Sequence, residues 1–192
     1  MLFDGYTVTV DSTADPVTAA ELRDWLRLDD TAQDTMLEGM ISAATHAVEQ
    51  HTHRAFAQRT INQSLSDFPG NDCIELLFPP LASVTTVKYW DADGTEQTID
   101  SSNYIVDTNR TVGMVQPVDT YTWPNVYERS DAVNVTFVAG YDATDIPNAA
   151  KVLIKMIAAD MYEHSETQSE LRLEENRQWK FLLDSLSCKD LY

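Results

Sequence analysis

Three histidines close together in the sequence are the side chains best suited to binding a metal ion. His46 and His53 are seven residues apart, so a helix would place them on one face, with His51 and Glu49 nearby. Zinc sites need a closed set of ligands that further hydrogen bonds hold in place. Because the His-Glu-x-x-His motif is absent, we predict that these are polar residues near a helix end and that no metal binds.

Motifs for nucleophilic catalysis or cofactor binding are absent as well. The chain has no Gly-x-Ser-x-Gly sequence, and Cys73 and Cys188 lie far apart, outside any Cys-x-x-Cys spacing. Its 6 glycines are dispersed and do not form a phosphate-binding loop. We therefore predict no catalytic residue and no cofactor. A small hydrolase with a carboxylate pair stays as an alternative, because sequence cannot place two acids in one cleft.

The charge balance argues against tight binding of nucleic acid. The chain has 13 basic and 31 acidic residues, a formal net charge of -18, whereas phosphate-binding surfaces need clustered Lys and Arg. Aromatic rings could stack on single-stranded bases, but Lys88 and Arg129 stand isolated among acids, so we predict core or interface rings. No apolar run is long enough to span a membrane, which predicts a soluble protein. The rings in question are Tyr89, Trp90, Tyr104, Tyr121, Trp123 and Tyr127.

Two helices are predicted near the N-terminus. Thr18 can cap the first, and Glu21, three residues later, completes a capping box; this helix should end near Leu28. The second should end near His53, because its apolar residues recur at the spacing of one helical face. These residues are Met36, Leu37, Met40, Ile41, Ala44 and Val48.

The middle of the chain has the alternating pattern of β-strands. The clearest prediction is a hairpin in which strands 83–90 and 95–99 flank an Asp91-Ala92-Asp93-Gly94 turn. At the start of the chain, before the first helix, the sequence up to Pro16 is predicted to be a polar lead without structure. The other strands are predicted at 61–65, 74–78, 104–106, 112–115 and 132–139.

Two further helices are predicted after the β-strands. Asp145-Ile146-Pro147 opens the third helix, because an acidic cap and an early proline suit a helix start. A polar stretch then predicts a hinge before an amphipathic helix from Leu171 to about Leu186. That last helix either folds back on its own domain or binds a partner through apolar anchors. The anchors would be Trp179, Leu182, Leu183 and Leu186.

These elements predict an α+β fold. Helices on both sides of the β-strands each carry one apolar stripe, so they must pack together as a small helical bundle with an inserted antiparallel β module. We expect one domain, 1–192, with helices in 17–54, a β-rich insertion in 60–139, a helix in 146–164 and a C-terminal helical arm in 170–187. The bundle would contain two N-terminal helices and one or two C-terminal helices.

The order and spacing of several short motifs match a known family. The motifs are Val17-Thr18-Ala19-Ala20-Glu21-Leu22, Leu37-Glu38-Gly39-Met40-Ile41-Ser42-Ala43-Ala44, Ile74-Glu75-Leu76, Tyr89-Trp90-Asp91-Ala92-Asp93-Gly94-Thr95 and Val135-Thr136-Phe137-Val138-Ala139-Gly140-Tyr141. In this order the chain resembles the head-to-tail connector, or adaptor, proteins of tailed bacteriophages, which are sometimes also described as phage DNA-packaging proteins. The resemblance covers nearly the whole chain.

This resemblance implies a structural, non-enzymatic subunit of the virion neck, which resides in the host cytoplasm during assembly. It implies a ring of about twelve copies under the portal protein, with a stopper or tail-completion protein below, through which double-stranded DNA passes without sequence-specific binding. It also assigns the portal contact to the C-terminal helix, through Trp179, Leu182, Leu183 and Leu186. The acidity suggests a channel that repels phosphates. An acidic DNA-mimic inhibitor remains the alternative.

Overall fold

The computed structural model describes residues 3–12, 15–69, 73–164 and 177–188. Its helices are α1 (Ala19–Leu26), α2 (Asp34–Thr52), α3 (Asn148–Glu163) and α4 (Arg177–Leu186), with a 3₁₀ turn at Ser101–Asn103. Its strands are β1 (Phe3–Val10), β2 (Arg59–Leu65), β3 (Ile74–Glu75), β4 (Leu81–Trp90), β5 (Glu96–Thr98), β6 (Tyr104–Asp107), β7 (Met114–Pro117) and β8 (Val133–Ala139). The predicted α+β fold class is confirmed.

The described residues form two compact units. Residues 15–57, 142–164 and 177–188 make a helical unit, and residues 3–12, 58–69 and 73–141 make a β unit. Each unit therefore draws on stretches of chain that lie far apart in the sequence.

The start of α1 has the capping box that the sequence predicts. The Glu21 N–H donates to Thr18 Oγ1 at 3.2 Å, and the Thr18 N–H donates to Glu21 Oε2 at 2.9 Å. This backbone hydrogen bond from Thr18 is the main reason why the pKa of Glu21 lies below its ordinary value. A carboxylate at this position also interacts favourably with the positive end of the helix dipole.

In the helical unit, α1, α2 and α3 contact one another, and α4 contacts α2 and α3. An Arg23–Asp34 ion pair, with N···O distances of 2.6 and 2.7 Å, links α1 to the first residue of α2. The predicted residues 171–176 of the last helix, and the predicted hinge, lie outside the described residues. The apolar core of this unit includes Leu22, Leu37, Ile41, Ala44, Val48, Ala150, Leu153, Ile154 and Ala158.

Within the described residues, the β unit contains two antiparallel sheets, one with the strand order β1-β2-β8-β4-β5 and one with the order β3-β7-β6. The predicted hairpin is β4 and β5. Strand β8 lies at the centre of the larger sheet, and its alternate residues are buried. We call this buried side the inner face of the sheet. Strand β1 corrects the prediction of an unstructured polar lead, because residues 3–10 pair with β2.

A buried glutamine joins the two sheets of the β unit. Gln63 on β2 is only 2% exposed. Its Nε2 donates to the Glu75 carbonyl at 3.0 Å, and its Oε1 accepts the Leu77 N–H at 3.1 Å. A side-chain amide can bond backbone groups in this way in both directions at once. Gln63 therefore holds the chain around β3 against the larger sheet.

The loop before β7 approaches β4 closely at a glycine. The Gly113 carbonyl accepts the Leu76 N–H at 2.9 Å. A Cβ atom at Gly113 would lie less than 3.0 Å from three side-chain carbons of Leu81. Glycine is required here because of this close contact and not because of its backbone freedom.

Candidate functional site

The C-terminal helix α4, on which the predicted portal contacts lie, packs against its own unit. Leu186 is only 8% exposed, and Trp179, Leu182 and Leu183 are half-buried. Just beyond the helix, the Cys188 N–H donates to the Thr52 carbonyl at 3.1 Å. Of the two arrangements that the sequence left open, the structure therefore has the helix folded back. The role of these four residues in binding a portal stays a prediction.

The opposite face of α4 carries an apolar side chain that the sequence reasoning missed. Phe181 is 73% exposed, the largest value among the exposed apolar side chains of the described residues. It lies five residues before Leu186, which places it on the other side of the helix. The sequence did contain a signal for this surface, because Phe181 is an apolar residue outside the main apolar stripe of the helix. With the helix docked, Phe181 is the most exposed apolar side chain among the described residues of α4.

The structure does not bring three side chains of the histidine cluster together as a set of ligands. His46 and His51 are exposed, and His53 caps the end of α2 with a φ of 55°. Glu49 is only 5% exposed, and its Oε1 accepts the Phe56 N–H at 2.8 Å. Among the described residues, no group of three or more His, Cys, Asp or Glu side chains could hold a metal ion. Glu49 instead fixes the chain where it turns after α2.

Most of the aromatic rings pack inside the β unit. Phe68 and Trp123 stack with ring centroids 4.7 Å apart and planes 6° apart, and Tyr89 meets Phe68 edge-on at 6.0 Å. Burial raises the pKa of Tyr121 and of Tyr104 above the ordinary value for tyrosine. Rings that stack on one another in this way are not free to stack on nucleic-acid bases.

The last aromatic contact fixes the loop before β8. The Arg129 guanidinium lies 4.3 Å from the ring centre of Trp90. It also forms two hydrogen bonds, of 2.5 and 2.7 Å, with the Asp131 carboxylate. The Tyr127 N–H donates to the Trp90 carbonyl at 2.9 Å, while the Tyr127 ring is exposed.

Several basic side chains of the described ranges are paired with acids. Arg23 pairs with Asp34 at 2.6 Å, and Lys88 pairs with Glu96 at 2.8 Å. Arg129 pairs with Asp131, as above. Such surface pairs contribute little to stability, about 0–1 kcal/mol each. They do, however, neutralise the cations locally, so most of the unbalanced charge on the described surface is acidic. No helix in the part of the chain that the structure describes is long and apolar enough to cross a membrane.

The sequence matches the model of one protein family, the phage gp6-like head-tail connector proteins, over residues 17–117. This range is more than half of the chain and runs from the cap of α1 to the end of β7. A search of curated proteins gives no match.

Solved structures with a similar fold come from gene transfer agent particles. The chain matches a protein in the neck of the empty particle, computed with C6 symmetry, with 20% identity and a TM-score of 0.80 over 98% of this chain and 97% of that one. A chain of the native virion gives 21% identity and 0.80 over 97% of both chains. A chain of the native neck, computed with C12 symmetry, gives 21% identity and 0.76 over 100% of this chain and 98% of that one. At these identities the matches show a shared fold along the whole chain.

Proposed function

Because the chain belongs to the phage gp6-like head-tail connector family, we propose that it is a structural subunit of a phage neck, which joins head to tail and resides in the virion. The family match over residues 17–117 is the observation that carries this proposal. The similarity to chains from gene transfer agent necks over nearly their full length supports it. The alternative of an acidic DNA-mimic inhibitor gains no support from these matches. A connector also needs no catalytic residue, so we propose that the protein is not an enzyme.

We propose that the subunits form a ring of twelve copies beneath the portal protein, with a stopper or tail-completion protein below. The related necks were treated with C6 and C12 symmetry, and such rings close through head-to-tail contacts between copies. Within each subunit, residues 60–139 would act as an insertion into one connector domain. The hydrogen bonds by which the buried Gln63 joins the two sheets support the view that this insertion is rigid.

The acidity of the chain suggests how DNA passes through such a ring. Twelve copies at -18 each would carry a formal charge of about −200, and acids that line a channel repel phosphates. The pairing of Arg23, Lys88 and Arg129 with acids reduces the number of cations available to bind the DNA backbone. Double-stranded DNA would then slide through without sequence-specific binding.

We also propose that α4 contacts the portal through Trp179, Leu182, Leu183 and Leu186. Leu186 is buried against its own unit, so its use requires the helix to leave α2 and α3. Phe181 is exposed already and could make the first contact while α4 is still docked.

Electron microscopy of the purified protein mixed with the portal ring from the same genome tests the proposed function. We expect a second ring, coaxial with the portal and at its tail-side end. The portal ring from an unrelated phage serves as the control and should stay bare. Intact portal rings that bind no protein at micromolar concentrations would refute the connector assignment.

A further inference from the structure

Strand β1 is an edge strand that contains no charged side chain over residues 5–10 and is largely exposed there. Among the described strands, β2 is its only neighbour. Val8 is 38% exposed and Val10 is 58% exposed, and residues 5–10 contain no charged side chain. Natural proteins usually protect such an edge with Lys, Pro or a covering segment, because its unpaired backbone groups can accept another strand. Strand β1 has charges only at Asp4 and at Asp11 just beyond its end.

The inner face of the sheet runs on to this edge and is only partly covered there. Tyr6 meets the Phe78 ring edge-on at 4.8 Å, whereas Val8 is 38% exposed. Val8 pairs with Ile61 on β2, and Ile61 pairs with Phe137 on β8. Residues opposite each other in a ladder point to the same side of the sheet. Ile61 and Phe137 are fully buried, whereas Val8 at the end of the same row is open to solvent. The apolar layer is thus incomplete at β1.

The other edge of the same sheet is β5, which is exposed along its length and pairs only with β4 among the described strands. Each step from β1 to β5 is antiparallel, and there are four steps, so β1 and β5 point in the same direction. We propose that β1 of one subunit adds in parallel to the β5 edge of the next subunit, so that one sheet continues from copy to copy. This inference rests on the proposed ring.

Charge identifies a second copy as the occupant of β1. Two subunits that each carry -18 repel each other, so the contact between copies favours surface without unpaired acids. Residues 5–10 contain no acid and present apolar side chains, and the one acid of β5, Glu96, is paired with Lys88 at 2.8 Å. Pairing of β1 with β1 of another copy would close a two-fold dimer, whereas pairing of β1 with β5 leaves a free edge at each end and can close a ring.

Lysine substitutions at exposed positions test the inference without disturbing the subunit's own core. Val8→Lys and Val10→Lys each place a cation in the contact. We expect each to raise the protein concentration needed for half-maximal ring assembly by roughly 100-fold, the effect of one buried unpaired charge per contact. The matched control is Ile105→Lys on β6, at a residue 48% exposed on the smaller sheet, which should change assembly less than about twofold.

Disulfide cross-linking tests which edges meet. In a Cys73→Ser, Cys188→Ala background, Gln97→Cys on β5 is combined in turn with Tyr6→Cys, Val8→Cys and Val10→Cys on β1. A disulfide forms only between Cβ atoms about 3.5–4.5 Å apart. We expect at least one pair to give a ladder of covalent oligomers up to the ring size, while each single-cysteine variant stays almost entirely monomeric under denaturing conditions.

Assembly is followed by analytical ultracentrifugation and electron microscopy, both for the protein alone and for the protein mixed with its portal ring. The protein alone is measured up to about 1 mM, where contacts with a binding free energy of only about 4 kcal/mol are detected. Rings that form normally from Val8→Lys and Val10→Lys proteins, with no cysteine ladder, would overturn the β1–β5 contact and leave the connector function intact. Efficient dimers from Val8→Cys alone would also overturn it. A wild-type protein that forms no ring under either condition would instead refute the proposed function.

Discussion

Replacing Gln63 with leucine should show how much of the β unit's stability depends on one buried side chain. Leucine has a similar volume, so the main effect is the loss of the hydrogen bonds to the Glu75 carbonyl and the Leu77 N–H. A buried backbone group left without a partner costs about 1–3 kcal/mol. Two such groups give about 2–6 kcal/mol, from which about 1 kcal/mol is regained by burying more apolar surface. We expect Gln63→Leu to lower the free energy of unfolding by about 1–5 kcal/mol.

Two companion variants separate this mechanism from a general effect of the substitution. Gln97→Leu makes the same change at an exposed position on the same sheet, where it removes only the solvent-exposed hydrogen bond from Gln97 Nε2 to Asp91 Oδ2, and should cost less than about 1 kcal/mol. Gln63→Glu keeps an acceptor for Leu77 but, when ionised, directs a carboxylate at the Glu75 carbonyl. Burial should raise the pKa of this new carboxyl in the folded state. The protein would then lose stability as the pH rises through that raised pKa and would regain it at lower pH.

The assay is urea unfolding followed by tryptophan fluorescence, with the slope m and the midpoint fitted together. An unchanged m and a lower midpoint for Gln63→Leu would agree with the mechanism. A midpoint equal to that of the wild type, or an equal loss for Gln97→Leu, would refute the reasoning.

Three further predictions follow from the helical unit and from the β4 contact. Gly113→Ala should cost about 2–3 kcal/mol in urea unfolding because of the clash with Leu81, and Leu81→Ala in the same chain should relieve part of the loss. Glu21→Gln should cost about 0.5 kcal/mol at pH 7. Because folding lowers the pKa of Glu21, its carboxylate stabilises the protein above the pKa of the unfolded state, and this stabilisation is lost as the pH falls through the pKa of the folded state. The thermal unfolding temperatures of the wild type and Glu21→Gln should therefore converge at acidic pH. Trp179→Ala should weaken binding to the portal ring about tenfold or more in a pull-down titration, whereas Ser185→Ala, at an exposed site on the same helix, should not.

The elements that the sequence predicts well are those whose signals are local. Thr18 and Glu21 specify the start of α1 within four residues, and the Asp-Gly turn specifies the β4–β5 hairpin. Strand β1 has a local signal too, since Tyr6, Val8 and Val10 alternate with polar residues. It was taken for an unstructured lead because an edge strand exposed on both faces looks like a polar segment when its neighbour β2 is more than fifty residues away.

The residues that sequence reasoning missed act through contacts that no pattern encodes. Gln63 looks like an ordinary polar residue of a strand until its partners, 12 and 14 residues away, are known. Glu49 seemed part of a histidine cluster, yet its partner is the backbone N–H of Phe56. For α4, the amphipathic pattern fits a helix that folds back as well as one that extends, so only packing decides between them.

The position of β8 at the middle of the larger sheet has a consequence for synthesis on the ribosome. Strands β2 and β4 are made long before β8, which must insert between them. Until residue 139 has left the exit tunnel, both strands keep an open edge, and a sheet closed by such distant pairing folds slowly. Chains that stop early are therefore prone to aggregate.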